Sequence, residues 1–513
     1  MAIVVSHIAP DFEALSKQVL RQAKLADIVE LRLDRVLAAQ GNPGEAKLRT
    51  LIRDARKPVI VSCPGPEAFG HFQGEDDERL DLLRTAARSG AAFVDVDWRL
   101  SLDLGEVRGE GKCHRIVSRH EPEGTPEDLH GLLEEVERVL YEGDLVKLVA
   151  HAHRCTDGLR MLRFVRERGG GMIGFSSGEA GSFTRVLAPI FGSPFTYAAP
   201  AALPGLPEPP LTAPGQIRVN DLRALLPPTG LSDGTAIFGV VGNPARHSWS
   251  PRVLGMALKA GRLDAVYVAF ETEDFDAFLA LAGDENFRGF SVTAPFKELA
   301  WKRATRRDAA SEATRAVNTL VREGEGWRGM NTDVGAVADV LERAFRLHAQ
   351  VPGRPPSIVA SRTLVLGTGG SARAVLQAVR DRGGRAIVAG RDAAKAAKVA
   401  GEMGATSCAW AEIPRVEYDV LAHCTPVGSL ADPGRSPIPA EWIREGTLVL
   451  DAVYRPLKTP LLQEAKKRGC TPVPGGEWFV RQAQAQYKLF TGQDADEALV
   501  RAAFSNALVE ETQ

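Results

Sequence analysis

The sequence predicts an α/β protein. An N-terminal (β/α)8 barrel is followed by a two-lobed portion whose second lobe is a Rossmann-like nucleotide fold. Three observations carry this. Eight short apolar runs alternate with amphipathic stretches before residue 200. A glycine-rich turn joins a strand to a helix in LVLGTGGSARAVLQAVRDRGGRAIVAGR (364–391). Pro- and Gly-rich breaks at 200–234 and 351–362 punctuate the chain, as a domain boundary and a connector would.

The barrel strands are expected at Ala2–Ser6, Ile28–Leu33, Pro58–Ser62, Phe93–Val96, Arg115–Ser118, Leu145–Val149, Met172–Phe175 and Pro194–Tyr197. Amphipathic stretches such as Phe12–Leu25 and Asp128–Leu140 lie between them. In this architecture polar residues at strand C-termini line the active site. Glu30 and Arg32 on the second strand, His120 just after the fifth and Lys147 on the sixth occupy such places. Lys147 has apolar neighbours. A desolvated amine there has a depressed pKa and can attack a carbonyl. On position alone it is equally a lysine snorkelling from a strand end. His120 by itself reads as a turn residue. Beside the lysine it suggests Schiff-base chemistry with proton transfer.

In the later stretch, Leu364–Leu366 is a strand, Ala372–Val379 a helix and Ala386–Ala389 a second strand. Gly367, Gly369 and Gly370 let backbone amides approach a pyrophosphate at the helix N-terminus, where Ser371 and Ala372 follow. An acidic residue ending the second strand would select NAD. Arg391 stands there, with Lys395 one turn on, and cations suit the 2′-phosphate of NADP. Thr425 in LAHCTPVGS joins this cofactor set.

Bulk properties exclude other classes. The 513 residues are too many for one core. A net charge of −2 with 25% charged residues gives no electrostatic case for nucleic acid or a membrane surface. No run reaches a membrane span, and the N-terminus does not read as a signal peptide. Cysteines 63, 113, 155, 408, 424 and 470 are scattered without a CxxC pair. They read as reduced thiols of a cytoplasmic enzyme with no metal site. The sequence leaves oligomeric state open.

Four motifs together make the first part specific: ADIVELRLD (26–34), VSRHEPEGTP (117–126), DLVKLVA (144–150) and LTAPGQ (211–216). They resemble the type I 3-dehydroquinate dehydratase family over about residues 1–220. The resemblance implies an iminium between Lys147 and the substrate ketone. It makes His120 the group that removes the α-proton and helps expel water. Glu30 and Arg32 match the family's hydroxyl-binding pair. Arg185 and Gln216 match its carboxylate-binding residues, with Thr212 where serine is usual. In IVSCPGPEAFG, Pro64 stands where the family often has arginine, and the loop glutamate aligns with Glu67.

In the second part, IFGVVGNPARHSWSP (237–251), GFSVTAPFKELA (289–300), AVNTL (316–320) and GMNTDVGAV (329–337) offer many hydroxyl donors and acceptors and few fixed charges. A small polyol acid needs that inventory. The set resembles shikimate dehydrogenase over about 235–513. The resemblance implies that Ser248 and Ser250 bind the acid end, that Thr293 binds a hydroxyl, and that Asn318 and Asp333 bind ring hydroxyls. Lys297 and Asp333 are the implied catalytic pair, with Tyr454 and Gln482 on the substrate side. Ser291, His423 and Trp478 depart from the family's usual asparagine, asparagine and methionine.

The expected organisation is therefore a barrel over 1–220, a substrate lobe over 235–345 completed by helices in 480–513, and an NADP lobe over 360–479. The function implied is dehydration of 3-dehydroquinate, then NADPH reduction of 3-dehydroshikimate to shikimate. An aldolase-like barrel fused to a dehydrogenase of another small hydroxy acid shares the lysine chemistry. A ligand sensor that has lost catalysis is the non-enzymatic alternative.

Overall fold

The computed structural model describes residues 1–107, 113–348 and 357–512. Residues 351–356, most of the second Pro- and Gly-rich break, lie outside them. The chain divides into two compact units: Met1–Ile237 with Leu258–Phe287, and Phe238–Ala257 with Arg288–Gln513.

In the first unit all eight expected strands form: β1 (Ala2–Ile8), β2 (Ile28–Arg32), β3 (Val59–Ser62), β4 (Phe93–Asp97), β5 (His114–Glu121), β6 (Leu145–His151), β7 (Met172–Ser177) and β8 (Phe195–Ala198). They are parallel and run in the order β7-β6-β5-β4-β3-β2-β1-β8, a near-closed barrel with β7 and β8 at its ends. Successive strand residues face opposite sides. Apolar residues such as Val29, Leu31, Val94, Val117 and Leu148 are buried in the ladder. The pairs Glu30/Arg32, Asp95/Asp97 and Ser118/His120 share the alternate face. The expected helices also form, as Phe12–Gln22 and Leu129–Glu137, capped by Asp11 and Asp128 side chains. One difference concerns His120. Strand β5 continues to Glu121, so His120 belongs to the ladder, opposite Val149.

The segment Leu258–Phe287 carries β10 (Ala265–Glu271), numbered after β9 (Ala236–Gly242). Within the first unit Phe270 packs edge-on against Phe183 at 5.0 Å, and Arg166 donates to Asn286 Oδ1 at 2.6 Å.

The second unit holds two sheets. In one, β9, β11 (Phe287–Val292), β13 (Thr319–Glu323), β14 (Gly326–Met330) and β12 (Arg306–Arg307) lie side by side in that order. Gly324, at φ 60°, lets β13 turn tightly into β14. The other is wholly parallel: β17 (Thr406–Cys408), β16 (Arg385–Ala389), β15 (Arg362–Leu366), β18 (Val420–His423), β19 (Leu448–Asp451) and β20 (Thr471–Val473). Both its faces are covered, as such sheets require. Val365 packs with Val337, Leu341 and Val375 of two helices on one face, and Leu364 and Leu366 with Leu461 on the other. The helix Gly370–Asp381 opens directly from the glycine turn.

Gly215, in the loop after β8, has φ +69°. A Cβ there would lie 2.2 Å from the Gly178 carbonyl oxygen. Gly215→Ala is therefore expected to cost about 1–3 kcal/mol. A thermal melt that does not fall would show the loop free to shift.

Candidate active sites

The first site is built at the C-terminal ends of the barrel strands. Ser6, Glu30, Arg32, Ser62, Asp95, Asp97, Ser118, His120, Lys147, Ser177 and Tyr197 all point into one pocket. Arg185 comes from the short helix Thr184–Leu187, and Thr212 and Gln216 from the loop after β8. All seven site residues expected in the barrel therefore meet.

Lys147 is 6% exposed and donates to Asp95 through a short contact. Its ammonium also lies 5.1 Å from the Tyr197 ring centroid. The expected environment was apolar alone; the structure instead sets a buried carboxylate beside the amine. Burial holds the Asp95 carboxyl above its ordinary range, with the Lys147 charge opposing that. His120 sits one inward position nearer the mouth, since Ser118 is the residue level with Lys147. Burial, then the charges of Lys147 and Arg32, push its imidazole well below the ordinary 6.5. The ring is thus neutral, with a lone pair able to take a proton, and its Nδ1 has no partner.

Arg32 is more occupied than a dedicated ligand-binding residue would be. It pairs with fully buried Asp34 at 2.9 Å and donates to the Thr212 and Phe69 carbonyls at 2.6 and 3.0 Å. It therefore holds two mouth loops as well as facing the pocket. Glu30 accepts from Ser62 Oγ at 2.9 Å.

Arg185 is different. It is 1% exposed, its Cζ lies 4.6 Å from the Phe175 ring centroid, and its Nε and Nη2 have no partner. Burial pushes its guanidinium down to about 10. Gln216 Oε1 accepts from the Thr212 amide and hydroxyl, both at 2.9 Å, so its NH2 is turned elsewhere. Ser6 Oγ and Tyr197 OH are also buried without partners. Buried polar groups are normally satisfied. Orphans on four elements around one pocket mark a place for a polar ligand. Ser6, Asp95 and Tyr197 escaped sequence reasoning. Inward alternation on β1 and β4 was the signal available for the first two.

The second site is lined by Ser248, Ser250, Ser291, Thr293, Lys297, Asn318, Asp333, Ser371, Tyr454, Trp478, Gln482 and Gln486. Lys297 Nζ donates to Asp333 Oδ2 at 2.6 Å, and Trp478 Nε1 to Asp333 Oδ1 at 3.2 Å. The departure from methionine at 478 thus adds a donor to the carboxylate. Gly370 makes room for this lysine: a Cβ there would lie 2.8 Å from Lys297 Cδ and 3.0 Å from its Cβ. Ser291, the other departure, donates to Gln486 Oε1 at 2.7 Å, and Gln486 Nε2 donates to the Asn318 carbonyl at 3.0 Å. Asn318 is held by Thr332 and Thr319, and Ser248 Oγ donates to Ser250 Oγ at 3.1 Å.

The remaining residues expected to hold the cofactor, Gly367, Gly369, Gly370, Ala372, Arg391, Lys395 and Thr425, line neither pocket. They lie beyond the C-terminal ends of β15, β16 and β18 or open the helix that follows, at the crevice where strand order reverses. Gly367 has φ +124°, and a Cβ there would strike the Cys424 carbonyl oxygen at 2.9 Å. Arg391 and Lys395 are exposed. The nearby carboxylate, Asp392, caps the helix Ala393–Met403 by accepting from Lys395 N. It is committed to the backbone, which leaves cations at this strand end. These residues fit a phosphorylated dinucleotide. His423, fully buried, meets Asp451 Oδ1 at 2.9 Å through Nδ1 and Thr425 Oγ1 at 2.6 Å through Nε2. The third departure is thus wired to a cofactor-side threonine.

Fold and sites define the class: a lysine-centred barrel lyase joined to a two-lobed nucleotide-dependent dehydrogenase. Residues 3–232 match the type I 3-dehydroquinase model, and 240–320 the shikimate dehydrogenase substrate binding domain. A bifunctional 3-dehydroquinate dehydratase/shikimate dehydrogenase of Arabidopsis thaliana, a chloroplastic protein, is 30% identical over 504 residues, 95% of this chain and 82% of the relative. The chain belongs to this bifunctional family. An NADP(+) shikimate dehydrogenase of Halobacterium salinarum is 37% identical over 271 residues, 52% of this chain and 97% of the relative. A crystal structure of the Thermus thermophilus shikimate 5-dehydrogenase with NADP(H) and shikimate is 31% identical, with TM-score 0.47, covering 53% of this chain and all of that one. Among the described residues no helix is long and apolar enough to cross a membrane.

His120, its pKa lowered, stays neutral as pH falls through 6.5. The acid limb of barrel kcat/KM is therefore expected below pH 6.5. A limb at or above 6.5 would show that the base is another group, or that His120 is solvated.

Proposed function

We propose that this chain carries out two consecutive steps: dehydration of 3-dehydroquinate to 3-dehydroshikimate in the barrel, and NADPH-dependent reduction of that product to shikimate in the second unit. The observation that carries the reading is the set of orphaned polar groups around the Lys147–Asp95 pair. A ring with a carboxylate, hydroxyls and a ketone supplies a partner for each.

In the barrel, Arg185 and Gln216 hold the carboxylate, with Thr212 setting the Gln216 amide. Glu30 and the one remaining Nη1–H of Arg32 take hydroxyls. Lys147 passes its proton to Asp95, whose raised affinity suits it to accept. The amine attacks the ketone carbon, and loss of water gives the iminium. His120 removes the now acidic α-proton, and the C1 hydroxyl leaves as water with a proton from His120. Hydrolysis frees Lys147.

In the second unit, Ser248 and Ser250 hold the acid end. Thr293, Asn318, Tyr454 and Gln482 hold or bound the rest of the ring. When bound, NADPH would supply the hydride; Gly367, Gly369, Gly370, Ser371 and Ala372 would hold its pyrophosphate, Thr425 its inner side, and Arg391 and Lys395 the 2′-phosphate. Lys297, oriented by Asp333, keeps a proton beside the C3 oxygen. We place the lobes at 1–220, 235–345 with 480–513, and 360–479, and the protein in the cytoplasm.

Borohydride added with 3-dehydroquinate should label Lys147 covalently. Lys147→Ala should abolish dehydration and leave shikimate oxidation intact. Label on another lysine overturns the barrel assignment.

A charge-assisted contact contributes about 1.5–3 kcal/mol, roughly one to two orders of magnitude in affinity. NADP should be preferred over NAD, and Arg391→Ala should erase most of that preference. Equal use of both cofactors before mutation would contradict it.

A further inference from the structure

Strand β3 ends at Ser62, and the wall beyond it is Cys63, Pro64, Ala68 and Phe69. Proline has no side-chain donor, so these four lining side chains offer nothing polar except a thiol, whose pKa burial raises. Yet it borders the end of the pocket where Ser62 donates to Glu30 and where the Phe69 carbonyl receives Arg32. Arg79 lines the pocket here. It belongs to the helix Asp76–Arg88, not to a strand end, and is 8% exposed.

Its geometry is built. Nε donates to the Cys63 carbonyl at 3.0 Å, Nη2 to Glu67 at 3.2 Å and Nη1 to Asp76 at 2.9 Å. Three of its five N–H groups are so taken and two remain. Glu67 is in turn within 3.6 Å of Arg99, which binds Asp97 on the pocket wall. Two carboxylates bond the Arg79 guanidinium, whereas among the described residues none forms an ion pair with Arg185, which feels only the Glu30 charge. A carboxylate ligand therefore gains more at Arg185. Arg79, its charge already offset, is suited to donate to neutral oxygens.

We propose that Arg79 is a specificity-determining residue of the barrel, supplying from the following helix a hydroxyl donor that the β3 end lacks at Pro64. It contacts one of the two adjacent ring hydroxyls, C4 or C5, at the Glu30 end of the substrate. The proposal rests on the dehydratase reading above.

The test is steady-state dehydration of 3-dehydroquinate and of its two monodeoxy analogues, lacking the C4 or the C5 hydroxyl, by the full chain. Arg79→Gln should raise KM for the parent about tenfold, the worth of one hydrogen bond, with kcat changed much less. The wild type should discriminate against one monodeoxy analogue by a similar factor, and Arg79→Gln should have lost that discrimination. Arg79→Lys, which keeps charge without the fork, should fall between. A thermal melt of the same chains reports barrel folding, and Arg79→Lys carries the comparison if Arg79→Gln is poorly folded. An equal loss on parent and both analogues would make Arg79 a loop brace only and overturn the proposal. So would an unchanged KM. If the wild type fails to dehydrate 3-dehydroquinate at all, the underlying reading falls first.

Discussion

Taking an ammonium out of water into a barrel costs several kcal/mol unless a counter-charge stands beside it. Asp95 is that counter-charge for Lys147, and much of the mouth is arranged around the pair. Asp95 reaches the amine because β4 turns Asp95 and Asp97 inward at alternate positions. His120 stays neutral partly because the Lys147 charge faces it. Tyr197 covers the pair with its ring, and its hydroxyl is pushed well above its usual range by burial and by Glu30 and Asp95. Without the carboxylate the lysine would be an uncompensated charge, and the polar groups around it would have nothing to converge on.

A second buried charge, Asp34, governs the rim. It is fully buried, pairs with Arg32 and accepts from the His71 backbone and ring, each at 2.9 Å. Arg32 then grips the Thr212 and Phe69 carbonyls. One carboxylate thus ties together loops far apart in sequence. Rim and lysine thus rest on different carboxylates, and the Arg32 charge is what links them, since it also acts on His120.

The strands were legible because barrel strands alternate with amphipathic helices at regular spacing, and all eight appear within a few residues of their expected ends. The nucleotide turn was legible because glycines before a helix have few other uses in that pattern. Lys147 and Lys297 could be read from strand context and motif. Their counter-charges differ in this respect. Asp333 follows from a local motif, but Asp95 lies 52 residues from Lys147 and meets it only through strand order. Arg79 was illegible for a related reason: on its helix it reads as one more exposed arginine. His423 could be seen to depart from its family, but its link to Asp451 depends on β18 lying beside β19. Sequence periodicity shows which face a residue takes, and only topology shows what that face meets.

Gly370 was read as part of a phosphate-binding turn, and its surroundings assign it a second duty. The space its missing side chain leaves is filled by the stem of Lys297. In the proposed mechanism, cofactor grip and proton delivery would share this one joint. Evolution or engineering toward another cofactor cannot begin at this glycine without moving the lysine. It has freedom instead at the far strand end, around exposed Arg391.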